Sequence, residues 1–447
     1  MSTLPENKCE AGCDHQHTDL EALNNRVAEL EKNAARTIEQ NEELAELYVM
    51  LAAELLEDDG TLKEILDLFA KAETVLQATL ALGEDDEIRR QLGNVYLHRA
   101  VAYNDYEEFE PAIESYGLAV TTLKPLESKG DGEAKYDIAG IRLNRGIIYH
   151  ELGEFEKAKT DLDESFTAFR AVEKISDLDT RFYMAKVSVS QGNLFRDMDE
   201  PLDKIVDAYN RAMRLFVELI DIGQMEHERE LANTLLLRCS ATYENYMVRE
   251  FESETECLNK VGDVLIDVGR GIEILEKLAQ NGNFENQFDL FMALKTEGTI
   301  LLDINKSEEA YKVFDRSIRD FADFINEDDP EVLNAFAEAY EKRGIASLNI
   351  GNSKESLSDF DKTIEIREKL SSKEFGLDED SRFNFLLTLA ASYAHRAHAH
   401  ATFDNAEDAK KDAQHGLDIV HSLKEEPGGE ELEEIRKLFE NLLEQIK

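Results

Sequence analysis

The chain has no tryptophan, only 6 prolines and 4 cysteines among 447 residues, and few basic groups for its size. Nor does any stretch approach the roughly 20 uncharged residues that a bilayer-spanning helix needs. Each shortage excludes something. Cys9, Cys13, Cys239 and Cys257 are too few to staple a chain of this length, so a disulfide framework is excluded and a reducing cytosol is implied. Met1 to Lys8 is polar and lacks the apolar core of a secretion signal, so the chain is expected to stay in the compartment of its synthesis, the cytoplasm. The 50 basic residues face 96 acidic ones, a formal charge of −46. Such a field repels phosphate backbones and anionic lipid, which makes nucleic acid and membrane poor partners. A basic or apolar protein segment is the partner it opposes least, and the same charge keeps a long surface in solution.

What is present is helical. Ala, Leu, Glu and Lys dominate the periodic stretches, proline is scarce, and glycine numbers only 23. Apolar residues make up 42% and fall at regular intervals, which excludes wholesale disorder. A chain this long cannot close around one compact core, so it must split or extend as a stacked array.

Self-similarity favours the array. Leu143 to Ser165 reads LNRGIIYHELGEFEKAKTDLDES, with a small residue at Gly146, aromatics at Tyr149 and Phe155, a turn at Gly153 and small residues at Ala158 and Ser165. Two helices fit this spacing: Gly146 admits the facing helix, Gly153 takes the positive φ that ends the first helix, and Ala158 is a small crossing point. The template recurs at Ala52 to Ala72, Arg99 to Val120, Glu297 to Ile318, Arg343 to Ile364 and Arg396 to Leu417. It resembles the tetratricopeptide repeat family. Taking Ala53, Ala100, Gly146, Gly192, Cys239, Gly298, Gly344 and Ala397 as markers gives intervals of 47, 46, 46, 47, 59, 46 and 53 residues, all above the roughly 34 of the standard repeat. The resemblance is therefore to the long-repeat members, and it implies an all-α solenoid of about eight helix pairs. Around Gly192 the turn carries one extra residue, and the interval of 59 implies an extra-long second helix or an inserted turn near Gly269 to Gly271, an irregular region within 240–290.

Helix starts and ends agree with that layout. Pro111, Pro201 and Pro330 each follow acidic residues where a helix would begin. Residues 1–17 read as a tail, 18–45 as one amphipathic, coiled-coil-like helix, 46–425 as the array and 428–447 as a capping helix. From the N-terminal helix onward Leu23, Val27, Leu30, Ala34, Thr37, Asn41, Leu44, Tyr48 and Leu51 alternate steps of four and three, a heptad-like seam with polar interruptions. That seam either pairs two chains as a homodimer or packs on the array.

Three groups of residues could carry chemistry. Cys9, Cys13, His15 and His17 offer ligand types suited to zinc or another soft divalent ion, though not at a usual structural spacing. His395, His398 and His400 share one helix but lack the i, i+4 pair of helical zinc sites, so they read as ordinary histidines. Arg145 with Asp161, Arg343 with Asp359, and Arg396 with Asp412 share one spacing, i to i+16, at equivalent places, which predicts a bidentate bond joining the two helices of a hairpin. Ser115 takes the acid's place opposite Arg99. No phosphate loop, nucleophile elbow or catalytic carboxylate constellation is present, and the chain is read as no enzyme.

From the resemblance, the first helix of each pair would line a concave groove suited to a protein or peptide partner. Projected onto this sequence, the groove holds Asn94, Leu97, His98, Val101, Asn144, Ile147, Lys295, Thr299, Lys342 and His398. Family members that clamp a partner's terminal carboxylates use Lys, Arg and Asn at set places, where this chain has Leu143, Val101 and Ala394. The function expected is thus an interaction scaffold or adaptor. The alternative is a regulator whose superhelix changes shape on binding a peptide or metal and releases a partner.

Overall fold

The computed structural model describes residues 20–57, 60–172, 177–247, 254–324, 329–423 and 429–445. Cys9, Cys13, His15 and His17 lie outside the described residues. Two compact units divide the chain, Met1–His227 and Glu228–Lys447. The first contains α1 (Leu20–Lys32), α2 (Ile38–Glu57), α3 (Leu62–Leu80), α4 (Asp86–Asp105), α5 (Phe109–Ser128), α6 (Gly132–Glu151), α7 (Phe155–Val172), α8 (Asp177–Asp197) and α9 (Leu202–Asp221). The second contains α10 (Glu228–Met247), α11 (Glu254–Leu278), α12 (Phe284–Asp303), α13 (Ser307–Phe321), α14 (Pro330–Asn349), α15 (Ser353–Ser371), α16 (Glu379–Thr402), α17 (Ala406–Ser422) and α18 (Gly429–Gln445). No strand occurs among the described residues. From α2 to α17 the helices pair as eight hairpins, and each second helix also packs on the first helix of the next hairpin within its unit. The molecule is an all-α helical-hairpin solenoid.

Local chemistry explains where these helices begin and end. Side chains of Asp85, Asp131, Asn283, Asp329 and Asp378 accept backbone N–H groups at the starts of α4, α6, α12, α14 and α16. At six hairpin turns one residue takes a left-handed φ: Glu107, Gly153, Asp199, Asn305, Gly351 and Asp404. In each the next N–H returns to the carbonyl five residues earlier, as Glu154 N does to Tyr149 O at 2.8 Å, satisfying the end of the first helix.

Equivalent small residues meet equivalent partners. A Cβ on Gly146 would lie 3.1 Å from Leu162, on Gly298 2.8 Å from Phe314, and on Gly344 3.1 Å from Phe360, the partner standing at i+16 from its glycine each time. Ser165 Oγ donates to Ala139 O and Thr363 Oγ1 to Ala337 O, both across 26 residues. These repeated contacts make the core one motif used again and again.

Two expectations change. In the first hairpin Ala53 is exposed and Ala52 is buried, so Ala52 holds the small position. The α2–α3 connection then carries one extra residue, as the α8–α9 connection does. Secondly, 18–45 is not one helix. Gln40 N donates to Thr37 Oγ1 and Thr37 N to Gln40 Oε1, a capping box that starts α2, while Arg36 Nη1 donates to Leu30 O and Asn33 O at the end of α1. The seam folds back on itself: Val27 and Leu30 of α1 join Leu44, Tyr48 and Leu51 of α2 in one buried cluster, with Arg26 bonded to Glu43 at 2.7 Å. Of the two readings of the long interval after Cys239, the longer second helix is the one found: α11 has 25 residues, with Gly269 and Gly271 inside it. At the far end α18 lays Phe439 against Gly416 and buries Leu432.

Candidate partner-binding wall

The first helices form a layer of their own. Members α2 and α4, α6 and α8, α10 and α12, α12 and α14, and α14 and α16 touch directly. Polar bonds tie this layer sideways: His150 Nε2 to Asp197 at 2.8 Å, Tyr243 hydroxyl to Asp303 at 2.7 Å, Lys295 Nζ to Glu338 at 2.5 Å, and Arg229 to Asp289 at 2.6 Å.

The residues expected on the wall separate by exposure. His98 and His398 open to solvent. Asn94, Leu97, Val101, Ile147, Lys295, Thr299 and Lys342 are half-buried, with Leu97 and Ile147 resting on the core. Lys295 is committed to Glu338, and Thr299 Oγ1 donates to the Lys295 carbonyl at 2.9 Å. Asn144 leaves the wall altogether: it is 7% exposed and hydrogen-bonds the buried Tyr116 hydroxyl between helices. The wall is mixed in polarity.

Beneath it run the arginine–aspartate pairs. Arg145 grips Asp161 at 2.6 and 2.8 Å, Arg343 grips Asp359 at 2.9 and 2.7 Å, and Arg396 grips Asp412 at 2.8 and 2.7 Å, all bidentate. Arg99 Nε donates to Ser115 Oγ at 3.1 Å and its Nη1 to Glu73 at 2.8 Å. A further pair, Arg238 with Asp267 at 3.1 and 2.7 Å, went unseen because it spans 29 residues. Its spacing exceeds that of the other pairs by the same amount as the long interval after Cys239 exceeds the interval before Gly344. The insertion therefore lies between Arg238 and Asp267, and the repeat resumes in register after it. Burial pushes the Asp359 carboxyl up, the Arg343 contact opposing it, while burial works to lower Arg343 and its contacts with the acids outweigh that and raise it.

A second buried network was not legible in the sequence. Arg367, 3% exposed, donates to both oxygens of Glu341 at 2.7 and 2.9 Å, to Thr388 O and to Ser392 Oγ, with His395 Nδ1 3.0 Å from the same carboxylate. Burial pushes Glu341 upward, but His395 and Arg367 outweigh it and hold the carboxyl at about 2. This network joins α14, α15 and α16. Its one readable signal is that Glu341 and Arg367 stand at i and i+26, the spacing of the Ser165 and Thr363 contacts.

Helical hairpins of this length, packed through small-residue contacts and closed by left-handed turns, define a helical repeat protein. The tetratricopeptide repeat model matches residues 139–171, spanning parts of α6 and α7. The chain thus carries a tetratricopeptide repeat at those residues, set among hairpins of the same design. A solved Signal Transduction ATPase with Numerous Domains from Pyrococcus horikoshii, which has a tetratricopeptide repeat sensor, matches with 13% identity over 90% of this chain and a TM-score of 0.52. This chain covers 49% of that one, about half its length. BtubC (BKLC) from P. vanneervenii matches with 21% identity over 59% of this chain and 91% of its own, TM-score 0.45. The quorum sensor NprR from B. thuringiensis, in its apo form, matches with 12% identity over 90% and 99%, TM-score 0.42. No curated protein matches the chain. No helix among the described residues is long and apolar enough to cross a membrane.

Proposed function

We propose that this protein is an interaction scaffold whose first-helix wall holds segments of partner proteins. One observation supports the reading: first helices of neighbouring hairpins adjoin within each unit, as α2 with α4, α6 with α8 and α12 with α14 do, and present His98 beside half-exposed Leu97 and Val101 in the first unit and His398 in the second. Apolar patches interrupted by polar groups suit a peptide's alternating side chains. Arg145, Arg343, Arg396 and Lys295 are already committed to neighbouring acids, so recognition falls to shape and to the open side chains.

Site-specific photo-crosslinking tests it. A crosslinker replacing His98 or His398 is expected to capture discrete partner bands in cells. The same group replacing Leu118 or Val217, exposed on the second helices α5 and α9, should not. Equal capture from both layers would remove the wall from the account.

A further inference from the structure

The hairpin turns of the first unit carry a pattern that the fold does not require. Residues 105–110, 151–156 and 197–202 read DYEEFE, ELGEFE and DMDEPL: ten carboxylates and no basic residue. The equivalent turns of the second unit, 303–308, 349–354 and 402–407, read DINKSE, NIGNSK and TFDNAE, with four carboxylates and two lysines. Both sets have the same backbone, with the left-handed residue at Glu107, Gly153 and Asp199 in one and at Asn305, Gly351 and Asp404 in the other. Turn geometry therefore leaves the acid content free.

The acidic edge also has an apolar floor. Tyr106 is 38% and Leu152 40% exposed at the tips of two successive turns. Between the second and third turns lies an open cleft of about 470 Å³, floored by Phe155 and Met198 and rimmed by Glu154, Glu156, Asp197 and Asp199. Asp197 is held by His150 and Arg196, and Glu154 lies 3.3 Å from Lys157. Glu156 and Asp199 are exposed and pair with no described cation.

From these observations we infer that the turn edge of the first unit docks a Lys- and Arg-rich segment of another protein. The aliphatic stems of its basic residues lie on Phe155 and Met198, and their charged heads reach Glu156 and Asp199. An apolar floor inside an acidic rim fits that side-chain chemistry and opposes both nucleic acid and acidic peptides. The edge lies at the helix ends and not along the wall, so this inference stands apart from the scaffold reading.

The test uses the full chain and a fluorescein-labelled 14-residue peptide of lysine, leucine and serine, at 150 mM NaCl, followed by anisotropy. Its counterpart with glutamate for lysine is the control peptide and is expected not to bind. Three variants are compared: Glu154→Gln with Glu156→Gln and Asp199→Asn; Leu152→Ser with Met198→Ser; and, as a charge-matched control in the second unit, Glu308→Gln with Asp404→Asn and Glu407→Gln. The edge triple is expected to raise the Kd at least tenfold and the control triple less than twofold. Circular dichroism checks folding, and if the triple is unfolded the apolar pair decides, with at least a threefold rise expected. Equal weakening by edge and control triples would reduce the binding to diffuse charge and overturn the inference, as would no binding by the wild type or wild-type affinity in the deciding variant.

Discussion

Replacing Arg343 by methionine isolates what one arginine–aspartate pair contributes. Asp359 is 2% exposed and takes two bonds from Arg343, so the substitution leaves a buried carboxylate facing methyl groups. Stranding a buried charge in this way costs about 3–5 kcal/mol. The reverse change, Asp359→Leu, is milder, because Arg343 keeps Asp315 at 2.9 Å and Glu355 at 3.5 Å. It should cost about 1–3 kcal/mol. Replacing both removes the stranded charge, and the double variant is expected within about 1 kcal/mol of wild type, so that the cycle returns a coupling of at least about 3 kcal/mol. Stacked hairpins open locally, so the readout is hydrogen exchange of α14 and α15 amides alongside a urea melt. A methionine variant costing under about 1 kcal/mol, or a double variant costing the sum of the singles, would refute the reasoning.

Other expectations follow from single contacts. Gly298→Ala places a methyl 2.8 Å from the Phe314 ring and should destabilise by about 1–3 kcal/mol, whereas Gly262→Ala in α11, with nothing within 4 Å, should stabilise by up to about 1 kcal/mol; thermal melts compare them. Glu107 holds φ 59°, so Glu107→Gly should stabilise by about 1 kcal/mol in a urea melt. Burial above all raises Asp137 to about 6, with Arg90 opposing. Because the folded value exceeds the unfolded one, stability from this group is full below about pH 4 and is lost as pH rises through 6. Asp137→Asn should therefore raise Tm at pH 7.5 and leave it unchanged at pH 3.5.

The repeat was readable because hairpin packing demands small residues at fixed places, and Gly146, Gly298 and Gly344 stand where glycine lets a neighbouring side chain touch the helix backbone. The constant arginine–aspartate spacing was readable for the same reason. What escaped depended on connections. The inserted length of chain hid Arg238 and Asp267 from a fixed-spacing search, and one extra residue in the first turn moved the small position from Ala53 to Ala52. The break before α2 was written in Thr37 and Gln40, yet the heptad seam continued through it because the two halves pack on each other. Among the wall residues, Asn144 was misplaced because the repeat template gives a helical position and not the partner waiting there, the Tyr116 hydroxyl.

The joints between hairpins do not share one chemistry. Arg99 reaches back to Glu73, Gln191 to Asp163, Arg343 to Asp315 and Arg396 to Asp361, while in α12 the corresponding place holds Glu297, whose carboxyl burial raises. A hairpin docked beside the wrong neighbour would set Glu297 against another acid, or leave an arginine with no oxygen to receive it. Successive modules thus carry addresses, and a chain of look-alike pieces has a built-in means of assembling in only one order.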